Sequence, residues 1–212
     1  MILSMNTTKN IALFGVIAIA VGIIGVTQVS ANTFSVSDSP KTTENGSFLG
    51  HVTLIVTDPQ GNIKAYRQSD NIVVNQGRNC APQVLFGVPN TDAACNSAVT
   101  GTFDVIAVSS SNTAITNNTI TALASELSGS GLTRAAGTAS VTTAASGAGG
   151  SSSVTTITKT FTYTGGSAQS VGSAGLYDGS GTPKLFAARA FASAVSLNTN
   201  DQLTVNWSMT LA

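Results

Sequence analysis

Few residues in this sequence are of a type that could carry out chemistry, and those few are isolated from one another. His51 is the only histidine, and no HExxH, HxH or GxSxG pattern accompanies it. A serine–histidine–aspartate triad could therefore use only His51. The nine Asp and Glu residues are spread singly, without the close acidic pair that glycoside cleavage needs. We expect no enzymatic activity, no catalytic residue and no cofactor.

Several oxygen-bearing side chains lie at predicted turns, where they could bind a structural calcium ion. Carboxylate and amide oxygens are the ligands that calcium prefers. Their spacing matches no known calcium loop, so we predict no metal site. The residues concerned are Asp58, Asn62, Asp70, Asn71 and Asp178.

Cys80 and Cys95 are the only cysteines. Two cysteines in an exported protein predict a disulfide, because the compartment is oxidising. Closing a loop of about 15 residues would stabilise the fold by roughly 3 kcal/mol. A metal site built on two thiolates is the alternative, but no second cysteine pair is present.

Three Asn-X-Ser/Thr sequons follow the N-terminal apolar segment, and in an exported chain each is a candidate glycosylation site. They begin at Asn45, Asn117 and Asn206. Asn206 alternates with Trp207 in a predicted strand, so we expect the Asn206 side chain to face solvent.

The N-terminus has the pattern of an export signal. Lys9 precedes an apolar run over residues 11–26, and Val29, Ser30 and Ala31 provide small residues for a signal-peptidase site. We predict a signal helix within a signal peptide over residues 1–31. Its retention as a membrane anchor is the alternative, although spanning a bilayer takes roughly 20 apolar residues. We expect contact with the membrane only through this segment, before cleavage.

The low and balanced charge favours a protein that associates with copies of itself. Only 8% of residues are charged, and nine basic residues balance nine acidic ones. This balance argues against a nucleic-acid partner, and low charge leaves little repulsion between copies.

Period-2 alternation of apolar and polar residues predicts most of the fold. Its clearest example lies near the C-terminus, where Leu203, Val205, Trp207, Met209 and Leu211 alternate with polar residues. We predict an all-β domain over residues 47–212, an antiparallel jelly-roll-like or Ig-like β-sandwich with one or two short helices. The predicted strands span 51–57, 63–68, 72–74, 103–108, 132–143, 154–163, 169–177, 184–194 and 202–211. A short helix or turn is predicted near 84–86, a short helix over 120–127, and a hairpin tip over 144–153.

Residues 32–46 form a polar segment ahead of this domain, with a short alternating stretch inside it. The stretch could be a frayed tail. It could also be a donor strand that pairs with the open sheet edge of another subunit. The candidate donor residues are Thr33, Phe34, Ser35, Val36 and Ser37.

A series of loose motifs over roughly residues 48–212 resembles β-rich phage tail structural proteins. It comprises residues 70–77 (DNIVVNQG), 85–87 (LFG), 123–134 (LASELSGSGLTR), 161–164 (FTYT), 173–178 (SAGLYD), 185–190 (LFAARA) and 200–207 (NDQLTVNW). The resemblance implies a structural role without an enzymatic site. In its architecture the chain also resembles archaeal thread and pilus subunits, which assemble by donor-strand exchange.

The sequence therefore predicts an exported cell-surface structural protein that self-associates by β-strand addition into a filament or surface layer. A monomeric adhesin or glycan-binding module, with surface glycans as its partner, is the alternative. We expect the protein to be secreted, at the cell surface or outside the cell.

Overall fold

The computed structural model describes residues 48–87, 102–143, 153–179 and 182–211. The predicted signal peptide and donor segment lie outside these ranges. The described residues contain one helix, α1 (Asn75–Phe86), and the strands β1 (Phe48–Thr57), β2 (Ile63–Asp70), β3 (Ile72–Val73), β4 (Val105–Ser109), β5 (Ala135–Ala136), β6 (Thr138–Thr143), β7 (Ser153–Thr162), β8 (Gln169–Tyr177), β9 (Leu185–Leu197) and β10 (Gln202–Leu211).

The strands form two antiparallel five-stranded sheets, which confirms the all-β prediction. Sheet A has the order β2-β1-β10-β7-β6, and sheet B has the order β3-β9-β8-β4-β5. One apolar cluster combines residues of both sheets, such as Leu54 of β1 and Leu176 of β8. The inner faces of the two sheets therefore share a core.

The C-terminal strand β10 has one buried face, as its alternation predicts, and the strand order places it at the centre of sheet A. It pairs along its whole length with β1 on one side and with β7 on the other. Leu203, Val205 and Trp207 are fully buried, whereas the residues between them are only partly buried. The period-2 pattern arises because this strand has one face in the core and one face outward.

The β1–β2 hairpin closes through the turn that its sequence predicts. Gly61 has a φ of 88°, which glycine adopts without steric cost. Asp58 Oδ1 accepts hydrogen bonds from the backbone N–H groups of Gln60 (3.0 Å) and Asn62 (2.8 Å). The pKa of Asp58 is lowered, first by the side-chain hydrogen bond from Asn62 and then by the Asn62 backbone N–H. These bonds favour the charged carboxylate and hold the turn.

Residues 84–86, predicted to form a short helix or turn, are the last residues of helix α1, which begins at Asn75. Gly77 allows the close contact with sheet B, since a Cβ atom there would lie 2.4 Å from the carbonyl oxygen of Phe186 in β9. Gln76 is buried, and its Oε1 accepts a hydrogen bond from Leu185 N at 2.8 Å. Contacts with β9 therefore hold a helix that the local sequence only weakly favours.

The helix predicted over residues 120–127 is wrong. Ser125 has a φ of 52°, which is incompatible with an α-helix, and Glu126 forms an isolated β-bridge with Ser109. The backbone N–H of Leu123 donates to the hydroxyl of Tyr177 at 2.8 Å instead of to a helical carbonyl. Burial raises the pKa of Tyr177 above its usual value. Contacts with sheet B override the local helical pattern.

One predicted strand belongs to a different sheet from its neighbour in sequence, and another is divided between the two sheets. Strand β3, within the predicted strand 72–74, directly follows β2 of sheet A but pairs with β9 in sheet B. The strand predicted over 132–143 breaks at Gly137, with β5 in sheet B and β6 in sheet A. A Cβ atom on Gly137 would lie 2.9 Å from the carbonyl oxygen of Thr158, so glycine permits the close approach at this corner. The bend leaves β6 attached to sheet A alone.

Candidate functional site

The four edge strands of the two sheets differ in their capacity to accept another strand. Edge strands present unpaired backbone groups, and proteins protect them with charge, bulges or short length. In sheet B, β3 and β5 are two residues long. In sheet A, β2 carries Lys64, Arg67 and Asp70, and its pairing with β1 contains a bulge between Val56 and Thr57. Short length, charge or a bulge therefore distinguishes three of the four described edge strands from the fourth, β6.

Strand β6 is the described edge strand that has none of these protections. It is six residues long, has the sequence Thr-Ala-Ser-Val-Thr-Thr and carries no charge. All six residues pair with β7, and no described strand pairs with its other side. Its remaining backbone N–H and C=O groups can therefore hydrogen-bond to an added strand.

The inward face of β6 is also uncovered. Val141 lies opposite Thr155 of β7, two residues from the buried Ile157, so Val141 belongs to the core-facing side of sheet A. Its side chain is nevertheless 63% exposed. This exposure shows that the core-facing side of β6 is largely uncovered at Val141. Among the described strands, sheet B ends at the two-residue strand β5.

An apolar groove of about 170 Å³ lies between the sheets near β6. Phe186 lies against two other aromatic rings, with its centroid 5.7 Å from Phe48 and 4.8 Å from Phe103. Thr155 and Ile157, which neighbour β6, line the same groove. The full lining is Phe48, Ala81, Val84, Leu85, Phe103, Thr155, Ile157, Leu176, Phe186 and Met209. We call β6 and this groove together the acceptor corner.

His51 lies on the outward face of sheet A, away from the groove. Its Nδ1 lies 3.1 Å from Asp70 Oδ1 on β2, and Ser208 of β10 is its direct partner on the other side. These three residues form a cross-strand row, which sequence reasoning missed because only strand pairing brings them together. The Asp70 side chain is 92% exposed. A triad aspartate is buried where it orients the imidazole, so this row lacks that feature.

The described sequons differ in their surroundings. Asn117 is exposed in an irregular segment. Asn206 was expected to face solvent, but its side chain is half-buried on the outward face of β10, where Oδ1 accepts a hydrogen bond from Thr158 Oγ1 at 2.8 Å. Asn45 lies outside the described residues.

The structure describes only one of the two cysteines of the predicted disulfide. Cys80 is fully buried in α1, whereas Cys95 lies outside the described ranges. The Cys80–Cys95 pairing stays a prediction.

Among the described residues, no group of three or more His, Cys, Asp or Glu side chains is placed to hold a metal ion. Within residues 48–87, 102–143, 153–179 and 182–211, no helix is both long and apolar enough to cross a bilayer.

Comparison with protein families, curated proteins and solved structures finds no match to this chain. The resemblances to phage tail proteins and to archaeal thread and pilus subunits therefore stay predictions. The acceptor corner is the structural feature on which a function can be argued.

Proposed function

We propose that this chain is an exported structural subunit that polymerises by β-strand addition into an extracellular filament or surface layer. Residues 33–37 of one copy add to β6 of the next copy. The observation that carries the proposal is the unprotected β6 edge, with Val141 exposed on its core-facing side. An uncharged edge strand with unpaired backbone groups can accept a strand from another copy.

The alternation in the donor segment matches the two faces of β6. Phe34 and Val36 point to one side of an extended strand, and Thr33, Ser35 and Ser37 point to the other. With Phe34 and Val36 inward, the added strand extends the apolar side of sheet A next to Val141. Its hydroxyl residues then extend the outward face, to which β6 contributes Thr138, Ser140 and Thr142.

The absence of charge from both segments also favours this pairing. Neither residues 33–37 nor β6 contains a charged residue. Docking therefore takes no ion out of water, which would cost several kcal/mol if the ion stayed unpaired. The ionic groups of sheet A's other edge, where Lys64 pairs with Asp201, disfavour addition at β2. One donor edge and one acceptor edge per copy define a head-to-tail polymer.

We also assign the two-sheet domain to the jelly-roll-like sandwiches and residues 1–31 to a signal peptide that is removed after export. The charge balance, nine basic against nine acidic residues, supports self-association over binding to nucleic acid.

Electron microscopy of surface material from cells that produce the protein tests this function. Filaments or a layer that contain the protein are expected, and light scattering of the purified mature protein should show large, concentration-dependent assemblies. A dispersed monomer at all concentrations, with binding to surface glycans, would favour the adhesin alternative instead.

A further inference from the structure

Asn117 is presented at the surface in a geometry suited to chemical modification. Its side-chain Oδ1 accepts hydrogen bonds from the backbone N–H of Thr119 (3.1 Å) and from Thr119 Oγ1 (2.9 Å). This Asx-turn directs the carboxamide oxygen toward Thr119. The segment is fixed to the domain, because the carbonyl oxygen of Asn118 accepts a hydrogen bond from Asn75 N at 2.7 Å.

The Asn206 sequon, in contrast, lies within a paired β-strand. Its backbone is in the middle of β10, paired with Thr53 of β1 and Thr158 of β7. A transferase that must take the sequon backbone into its own active site would have to break both ladders. The residue that follows, Trp207, is fully buried.

We propose that Asn117 is the N-glycosylation site of the folded protein and that Asn206 stays unmodified. The co-reactant is a lipid-linked oligosaccharide, activated as a phosphate or diphosphate ester, together with a transferase. Nδ2 of Asn117 attacks the anomeric carbon of the first sugar. The N–C bond forms as the C–O bond to the phosphate breaks, the lipid phosphate leaves with the bonding electrons, and a base of the transferase takes the Nδ2 proton.

The hydroxyl of Thr119 has a defined part in this reaction. Its hydrogen bond to Oδ1 withdraws electron density from the carboxamide, and this makes loss of the Nδ2 proton easier. A valine at position 119 keeps the shape of threonine but removes the donor. A serine keeps the donor.

The inference rests on the export that the proposed function includes, and peptide mass spectrometry of the protein recovered from the outside of producing cells tests it. An oligosaccharide mass is expected on the peptide that contains Asn117 and is absent from the peptide that contains Asn206. Asn117→Gln and Thr119→Val should abolish the modification, whereas Thr119→Ser and the control Asn112→Gln should retain it.

An unmodified Asn117 in exported protein would overturn the inference, and so would a glycan on Asn206. Electron microscopy of the same samples separates the two proposals. Filaments with an unmodified Asn117 leave strand addition standing. A glycosylated monomer refutes strand addition and supports the Asn117 assignment.

Discussion

Replacing Val141 with lysine should block assembly without unfolding the subunit. The side chain is 63% exposed on the core-facing side of β6, so a lysine there can extend into solvent in the monomer. In the proposed assembly, Phe34 and Val36 of the added strand would lie beside this position on the same side of the sheet. The charge would then be buried without a partner.

The size of the effect follows from the exposure of Val141. Full burial of a valine side chain contributes about 1.5–3 kcal/mol, so covering its exposed 63% contributes roughly 1–2 kcal/mol per contact. Loss of that contribution weakens association by about 5- to 25-fold. Val141→Lys should weaken association by more than this, because the ammonium group also loses its hydration when the added strand docks.

Ile63→Lys is the matched control. Ile63 is 69% exposed on β2, the opposite edge of sheet A, which already carries charge. Sedimentation velocity over a concentration series gives the critical concentration for assembly, and thermal unfolding reports the stability of each subunit.

We expect a critical concentration raised by more than 5-fold for Val141→Lys and unchanged for Ile63→Lys, with similar melting temperatures for both. Normal assembly of Val141→Lys, or loss of assembly in Ile63→Lys, would refute β6 as the acceptor edge.

Three further predictions concern the subunit itself. Gly77→Ala should destabilise the fold by about 1–3 kcal/mol, because the new Cβ would overlap the β9 backbone, whereas Gly129→Ala, with open space around it, should be near neutral in chemical denaturation. The free energy of unfolding should fall as pH rises past about 10, because the unfolded chain releases the Tyr177 proton before the folded chain does. Chemical denaturation at about pH 8 and about pH 11 measures this fall, and Tyr177→Phe should lessen it. The same pH dependence in Tyr177→Phe would contradict the prediction. Peptide mapping without reductant should recover Cys80 linked to Cys95, and reduction should lower the unfolding free energy by roughly 3 kcal/mol; free thiols in the oxidised protein would contradict the pairing.

Strands with one buried face could be predicted from their sequence alone. The alternation around Trp207 predicts β10 with both of its bounds, and the turn at Asp58 predicts the β1–β2 hairpin. In these elements each local preference agrees with the final fold. The prediction failed at residues 120–127, where the hydroxyl of Tyr177 and the positive φ of Ser125 impose an irregular path.

The acceptor corner could not be predicted from the sequence. An alternating pattern shows that a strand has two different faces, but it does not show which strands lie at a sheet edge. The corner exists because the chain changes sheets at Gly137 and because β6 is the outermost strand of sheet A. The sequence shows that Thr138–Thr143 carries no charge, but only the strand order shows that this uncharged strand lies at a sheet edge.

Removal of the donor segment tests the central claim most directly. A protein that begins at Gly46 keeps every described strand, since β1 begins at Phe48. Its assembly should be compared with that of the protein that begins at Asn32, by electron microscopy and sedimentation velocity at equal concentrations. Strand addition through residues 33–37 predicts filaments for the longer protein and a folded monomer for the shorter one. Filaments formed by the shorter protein would contradict it.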